Sequence, residues 1–244
     1  MARKSVSGVC RICGDEGPLS YEHVPPEAAF NNERVLEANP KRLLEGEDYL
    51  TNPRGKFNQR GAGAYTLCVR CNSYMGSCYA PAYIDFAKQC MKPARSLPTG
   101  AFADITLQFY PLRVLKQFVA MHCSANPPEG PRFARFLLNK HDKNIMRPRM
   151  LLSLRDEKRS RITRQAGAVG VLNAETGENG LFSEISFPPF NSILILDGYG
   201  EAKNLTDVSW FVNYSFNEIT EASIRFFNLP AVTPFPGDYT DIAS

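Results

Sequence analysis

The spacing of hydrophobic and polar positions changes rhythm near residue 100. Ala103 to Tyr110 (ADITLQFY) alternates with a period of two and predicts a strand. Behind Pro111, the residues Leu112, Val114, Leu115, Phe118, Val119 and Met121 recur at helical spacing and predict a helix over 112–124, and Phe133 to Leu138 predicts a second, shorter one. From Met150 the pattern is mostly β. Expected strands cover 150–154, 166–172, 181–187 and 192–196, with Thr176-Gly177-Glu178-Asn179-Gly180 as a turn between two of them. The segments 208–216 and 222–227 read as two strands or as a strand and a helix. Trp210, Phe211, Tyr214 and Phe216 suggest a core strand, and Pro234 to Tyr239 an ordered terminal turn.

Residues 1–95 follow no such rhythm. They are rich in turn formers and basic residues, and little in them predicts an ordinary apolar core. The expected organisation is a small metal-stapled domain over 1–95, a connector at 93–100, and an α+β, β-rich domain over 100–244.

The whole chain has 244 residues and a net charge of +3, with no apolar run near the roughly 18 residues of a membrane helix and no apolar stretch behind its basic start. A cytoplasmic protein without a membrane partner is expected. The charge is unevenly placed, at +3 over 1–99, +8 over 100–165 and −8 over 166–244. The middle stretch suits a polyanion, unless the acidic tail folds back onto it.

Seven cysteines in such a chain favour metal ligation over disulfides. Cys10-Arg11-Ile12-Cys13 and Cys68-Val69-Arg70-Cys71 provide four thiolates, the ligand set of a closed tetrahedral zinc site. The 54 residues between the pairs make a long loop, but closure entropy grows by only about 0.6 kcal/mol per doubling of length. Cys78, Cys90 and Cys123 read as small core residues, and His122 and His141 as structural.

Between the pairs lies Ser20-Tyr21-Glu22-His23-Val24-Pro25-Pro26, and Asn72 follows the second pair directly. The ordered set of CxxC, acidic residue plus His, hydrophobic residue, Pro, and CxxC-Asn resembles the HNH branch of the His-Me finger nucleases over the first 75 to 95 residues. The resemblance implies a ββα-metal finger with a structural zinc ion and a separate magnesium or manganese ion. It implies His23 as general base, and Glu22 and Asn72 as ligands of the catalytic metal. Asn72 also suits the cap of a following helix. At the middle Asn of the pattern this chain has Gly63, with Asn58 nearby.

The chemistry is coherent on its own terms. Imidazole titrates near neutrality and suits a base that takes a proton from water; hard oxygen ligands suit magnesium and soft thiolates zinc. Arg54, Lys56, Arg60 and Arg70 are candidates for holding backbone phosphates, with 147–149 and 155–164 as a further basic surface. Tyr65 and Tyr74 are expected to pack around the finger.

The resulting expectation is a metal-dependent endonuclease acting on DNA, with double-stranded DNA ahead of RNA, as in nucleases of mobile elements and phage defence that resemble it. The second domain would serve targeting, regulation or dimerisation, leaving room for a homo-oligomer or a regulatory partner. The alternatives are a non-catalytic zinc-finger module that binds nucleic acid and a protein-interaction adaptor.

Overall fold

The strands expected at 103–110, 150–154, 166–172, 181–187 and 192–196 form, with boundaries that differ by no more than three residues, and pair into a sheet that no sequence pattern specifies. The computed structural model describes residues 6–38, 55–125, 130–145, 148–155, 164–173, 178–197 and 204–229. The expected terminal turn at 234–239, the basic positions 156–163 and 147, and Arg54 lie outside these residues.

In the N-terminal part, β1 (Val6–Val9), β2 (Glu16–His23) and β5 (Gly63–Cys68) make an antiparallel sheet in the order β1-β2-β5, while β3 (Val35–Ala38) and β4 (Gly55–Asn58) form a separate two-stranded ribbon. Two helices follow, α1 (Val69–Cys78) and α2 (Ala80–Ser96). Then come β6 (Phe102–Phe109), α3 (Pro111–Ala125), α4 (Gly130–Leu138), β7 (Arg149–Arg155), β8 (Arg164–Asn173), β9 (Glu178–Phe187), β10 (Phe190–Asp197), β11 (Thr206–Asp207) and β12 (Thr220–Leu229). These strands form one seven-stranded sheet in the order β6-β12-β7-β10-β9-β8, with β11 on β7. Its pairings are antiparallel except for the short parallel contact of β12 with β7 at Asn228 and Leu229. Glu178 to Gly180, expected in a turn, belong to β9. The molecule is thus mixed α and β with a β-rich sheet.

Two expectations are corrected. Residues 208–216 hold a 3-10 helix, Ser209–Asn213, in place of a strand. Asp207 accepts the Ser209 backbone N–H at 2.9 Å and pairs with Arg149 at 2.9 Å, which turns the chain and drives Phe211 into the core while Trp210 stays partly exposed. The first 95 residues also carry a substantial apolar core. Along α2 and its preceding residue, Tyr79, Tyr83, Phe86, Cys90 and Ala94 are buried at helical spacing. Pro81 sits in the first turn, where its missing N–H costs nothing, and Pro93 falls in the last.

The α3 helix is buried nearly all round and holds the parts together. Phe118 meets Tyr83 edge-on at 5.1 Å and Phe190 of β10 at 5.6 Å. Phe86 stacks on Phe190 at 5.4 Å. One apolar cluster therefore runs from Cys10, Ile12 and Met75 through Phe86 and Phe118 to Phe226. Lys116 on α3 finds its partners locally. Lys116 donates to the carbonyls of Phe136 and Asn139 at the end of α4, with its ammonium 3.9 Å from the Phe136 ring centre.

His122 lies between β9 and β10, with Nδ1 2.7 Å from Ser183 Oγ and Nε2 3.1 Å from Ser192 Oγ. Burial pushes its pKa down to about 3. The folded state therefore keeps His122 neutral where an unfolded chain would protonate it, so stability present above pH 6.5 is lost as pH falls. Urea unfolding of wild type and His122→Gln between pH 6.5 and 5 should differ in slope by up to one proton, about 1.4 kcal/mol per pH unit, with the variant flatter. Parallel slopes would refute the assignment.

Candidate functional site

The first cysteine pair forms a tight turn. The Cys10 N–H donates to Asp15 O and the Gly14 N–H to Cys10 O, both at 2.9 Å, and Gly14 takes φ +80°, a left-handed conformation that glycine adopts without strain. The Arg11 N–H donates to Thr66 O at 3.0 Å, laying this turn against β5. The second pair spans the start of α1, with Cys68 as N-cap and Cys71 in the first turn, where the helix dipole favours thiolates.

The four Sγ atoms lie within 4.8 Å of one another, and Cys13 Sγ is 3.9 Å from Cys68 Sγ. A tetrahedral ion with metal–sulfur bonds of about 2.3 Å needs sulfurs about 3.8 Å apart, so the cluster fits a metal such as zinc. Burial raises the Cys10 thiol, but N–H groups of Cys68, Cys13 and Ile12 outweigh it and bring the pKa down to about 7. Burial and the neighbouring thiols push Cys71 up instead. Four thiols this close cannot all ionise without a cation among them.

Arg11 extends the knuckle's influence. Its guanidinium donates to Ser124 O and, at 3.0 Å, to Ala125 O, the last carbonyls of α3. Thr66 and Ser124 share a hydroxyl hydrogen bond of 2.6 Å beside it. A single arginine inside CxxC carries no sequence signal of what it reaches, and only the fold brings Arg11 to the end of α3.

Strand alternation divides the candidate chemistry between two faces of β2. Ser20 and Glu22 share the face toward α1, and Asn72 donates from Nδ2 to Ser20 Oγ and Tyr21 O, both at 3.0 Å. Those bonds leave Asn72 Oδ1 as its remaining acceptor. Asn72 is the fourth residue of α1 and Cys68 its N-cap, so the alternative of Asn72 as cap does not hold. Glu22 is 9% exposed, and burial pushes its carboxyl up to about 8. Among the described residues no hydrogen bond or ion pair reaches its carboxyl group, a setting in which a bound cation would compensate the buried charge.

His23 projects from the other face, edge-on to Tyr21 at 5.0 Å. Its Nε2 lies 2.8 Å from the backbone oxygen of Arg60. A carbonyl only accepts, so Nε2 carries the proton and donates, and the neutral ring keeps its lone pair on Nδ1. As His23 ends β2, it and Glu22 flank the end of the strand.

Two asparagines shape the loops around His23. Asn58 accepts the Arg60 N–H at 3.1 Å and donates to Tyr21 Oη at 2.6 Å, setting the turn that presents the Arg60 carbonyl. Asn31, fully buried, donates to Pro25 O and Ala62 O and accepts the Ala62 N–H, each at 2.7 Å. It ties the segment after His23 to the segment before β5. Nothing in its sequence neighbourhood marks it.

Gly63 pairs with His23 in register, and a Cβ there would lie 2.3 Å from Glu22 O and 2.9 Å from Tyr21 Cε1. The position has no room for the Asn of the pattern. Gly63→Asn is expected to cost on the order of 2–3 kcal/mol by forcing the strands apart, read as a fall in urea midpoint. An unchanged midpoint would contradict the close approach.

The predicted phosphate-binding residues do not form one set. Arg60 is exposed with its guanidinium 5.5 Å from the Tyr21 ring centre, and Lys56 is exposed on β4. Arg70 pairs with Asp15 at 3.1 Å beside the first cysteine turn. Tyr74 packs on Tyr79 at 6.0 Å, while Tyr65 meets Tyr21 at 5.4 Å yet stays 48% exposed. Among the described residues, no helix is long and apolar enough to cross a membrane. No family model, curated protein or solved structure matches the chain.

Proposed function

We propose that this protein is a metal-dependent endonuclease of the HNH type that hydrolyses DNA phosphodiester bonds. The reading rests above all on His23, whose Nε2 is held by the Arg60 carbonyl so that Nδ1 is the basic nitrogen. In this reading the four cysteines hold zinc and keep the β2–β5–α1 unit in shape. Glu22 and Asn72 Oδ1 are the residues that would hold a magnesium or manganese ion. When bound, such an ion supplies charge neutralisation at the phosphate and at the leaving oxygen.

His23 Nδ1 takes a proton from water as the water oxygen attacks phosphorus. The phosphorus–O3′ bond breaks, giving a 5′-phosphate and a 3′-hydroxyl once the leaving oxygen gains a proton. Asn58 and Asn31 keep the two loops around His23 in place during this step. The exposed Arg60 beside Tyr21 is placed to hold a substrate phosphate.

The test is incubation of the purified protein with supercoiled plasmid, with and without added magnesium or manganese. Nicked or linear product that appears only with added metal supports the reading. Salt-sensitive binding of the plasmid without cutting, under either metal, would replace it with a binding module.

A further inference from the structure

Regular alternation along β5 would put Tyr65 and Leu67 on one face of the strand. The structure separates them. Ser20 of β2 pairs with Leu67, whereas the next residue, Tyr21, pairs with Tyr65, so Thr66 is an extra residue and forms a β-bulge. Leu67 stays in the core on the face of Ser20 and Glu22, and Tyr65 turns out onto the face of Tyr21 and His23, where it is 48% exposed. The bulge is held from two sides: the Thr66 carbonyl accepts the Arg11 N–H at 3.0 Å, and the Thr66 hydroxyl shares its 2.6 Å hydrogen bond with Ser124. Burying a tyrosine ring stabilises a fold, so a fixed bulge that exposes one has a reason outside the fold.

The exposed ring belongs to a row that ends at the candidate base. The ring centres of Tyr65 and Tyr21 are 5.4 Å apart and those of Tyr21 and His23 5.0 Å, both edge to face. Tyr65 therefore lies at most two such steps from the imidazole, and its edge-to-face contact with Tyr21 covers no more than one face of its ring. The exposed Arg60 adds a cation to the same row, with its guanidinium 5.5 Å from the Tyr21 ring centre.

We propose that Tyr65 stacks on an unpaired base of bound DNA, so that the substrate is DNA carrying unpaired nucleotides next to the phosphate that is cut. The inference rests on the nucleic-acid reading above and narrows its substrate class. Inside a duplex both faces of each base are covered by its neighbours, and only a base freed from the stack offers a face to a tyrosine. Stacking accepts any base, and the nearby guanidinium suits the adjoining phosphate, the pairing of aromatic and cation by which proteins hold single strands. Because the bulge fixes Tyr65 relative to His23, cutting falls within about three nucleotides of the stacked base, at about 3.4 Å per nucleotide along one strand.

The experiment compares a labelled 40-base-pair duplex with the same duplex carrying a five-nucleotide mismatched bubble. Binding by full-length protein is read by fluorescence anisotropy without added divalent metal, and cutting with added magnesium or manganese. Wild type should bind the bubble at least about tenfold more tightly than the full duplex and cut within about three nucleotides of an unpaired base. Tyr65→Leu should lose about 5- to 150-fold in affinity for the bubble while its affinity for the full duplex stays within about twofold, and its cutting should show a raised KM with kcat within about threefold. Tyr65→Phe and Tyr65→Trp should keep the preference, and the added indole of Tyr65→Trp should be quenched by the bubble and not by the duplex. Phe102→Leu, which removes a similarly exposed aromatic from β6, should behave as wild type.

If Tyr65→Leu keeps the bubble preference, or wild type has none, the stacking is wrong, and the nuclease reading stands as long as wild type cuts. If wild type cuts neither substrate with either metal, the nuclease reading fails and binding alone decides the stacking: a preference that depends on Tyr65 supports it, and its absence overturns it. Equal losses in Tyr65→Phe and Tyr65→Leu would assign the effect to the hydroxyl and overturn stacking. Single-stranded RNA of the bubble sequence that binds more tightly than the matching DNA strand would overturn the DNA assignment. An indole in Tyr65→Trp that the bubble leaves unquenched overturns the proposal even where Tyr65→Leu fails to fold.

Discussion

Removal of zinc, by a strong chelator or by Cys71→Ser, is expected to unfold the β2–β5–α1 unit. Cys10 and Cys71 are fully buried and face two further thiols within 4.8 Å, so without a cation the cluster must either hold four protons or repel itself. Structural zinc sites of this ligand set contribute apparent binding free energies of about 10 kcal/mol or more, comparable with the entire stability of a domain this size. The damage should not stop at the finger. Arg11 covers the last carbonyls of α3, and Thr66 bonds to Ser124, so amide hydrogen exchange at the end of α3 should quicken together with that of β5. Elemental analysis should find one zinc per chain in the wild type. A chelated protein with unchanged melting temperature and unchanged exchange would show that the cysteines are merely core residues.

The second large effect is on turnover. His23→Ala should lower plasmid cleavage by about 10²- to 10⁴-fold, the range contributed by a positioned general base, while the melting temperature stays close to wild type because the ring is half-exposed. His23→Gln is the sharper probe. Its amide can still donate to the Arg60 carbonyl, which keeps the loop, but it offers no basic nitrogen in place of Nδ1. Both variants should be equally inactive and should bind duplex DNA as the wild type does. Partial restoration by added imidazole in His23→Ala would identify proton transfer as the missing step. Cleavage within about threefold of wild type in either variant would remove His23 from the mechanism.

These two effects fall on residues whose chemistry is local. A CxxC pair brings two sulfurs into one turn whatever surrounds it, so the cysteine cluster was legible, and a loop of 54 residues did not prevent its closure. The strands and helices after residue 100 were legible because hydrophobic period reports local geometry directly: alternation at 103–110 became β6, and the helical spacing behind Pro111 became α3. Where that signal was diluted the reading failed. The α2 face of Tyr79, Tyr83, Phe86 and Cys90 is helical, but two prolines and many turn formers around it obscured the period. The aromatics at 210–216 mimicked a strand until Asp207 turned the chain into a 3-10 helix.

By itself, then, the order of residues determined which groups are available: four thiols in two turns, a carboxyl beside an imidazole at a strand end, an amide on the next helix, and the elements that carry them. Tertiary structure alone decided how they act. The pairing of β2 with β5 put Glu22 toward α1 and His23 toward the Arg60 carbonyl, and with that chose which ring nitrogen is basic. The same pairing left no space at Gly63 and passed the work of holding the loops to Asn31 and Asn58. The physical reason is range. Turns, periods and metal pairs are set by neighbours a few residues apart, whereas protonation, burial and the faces of a strand depend on partners tens of residues away that only the folded chain brings into contact.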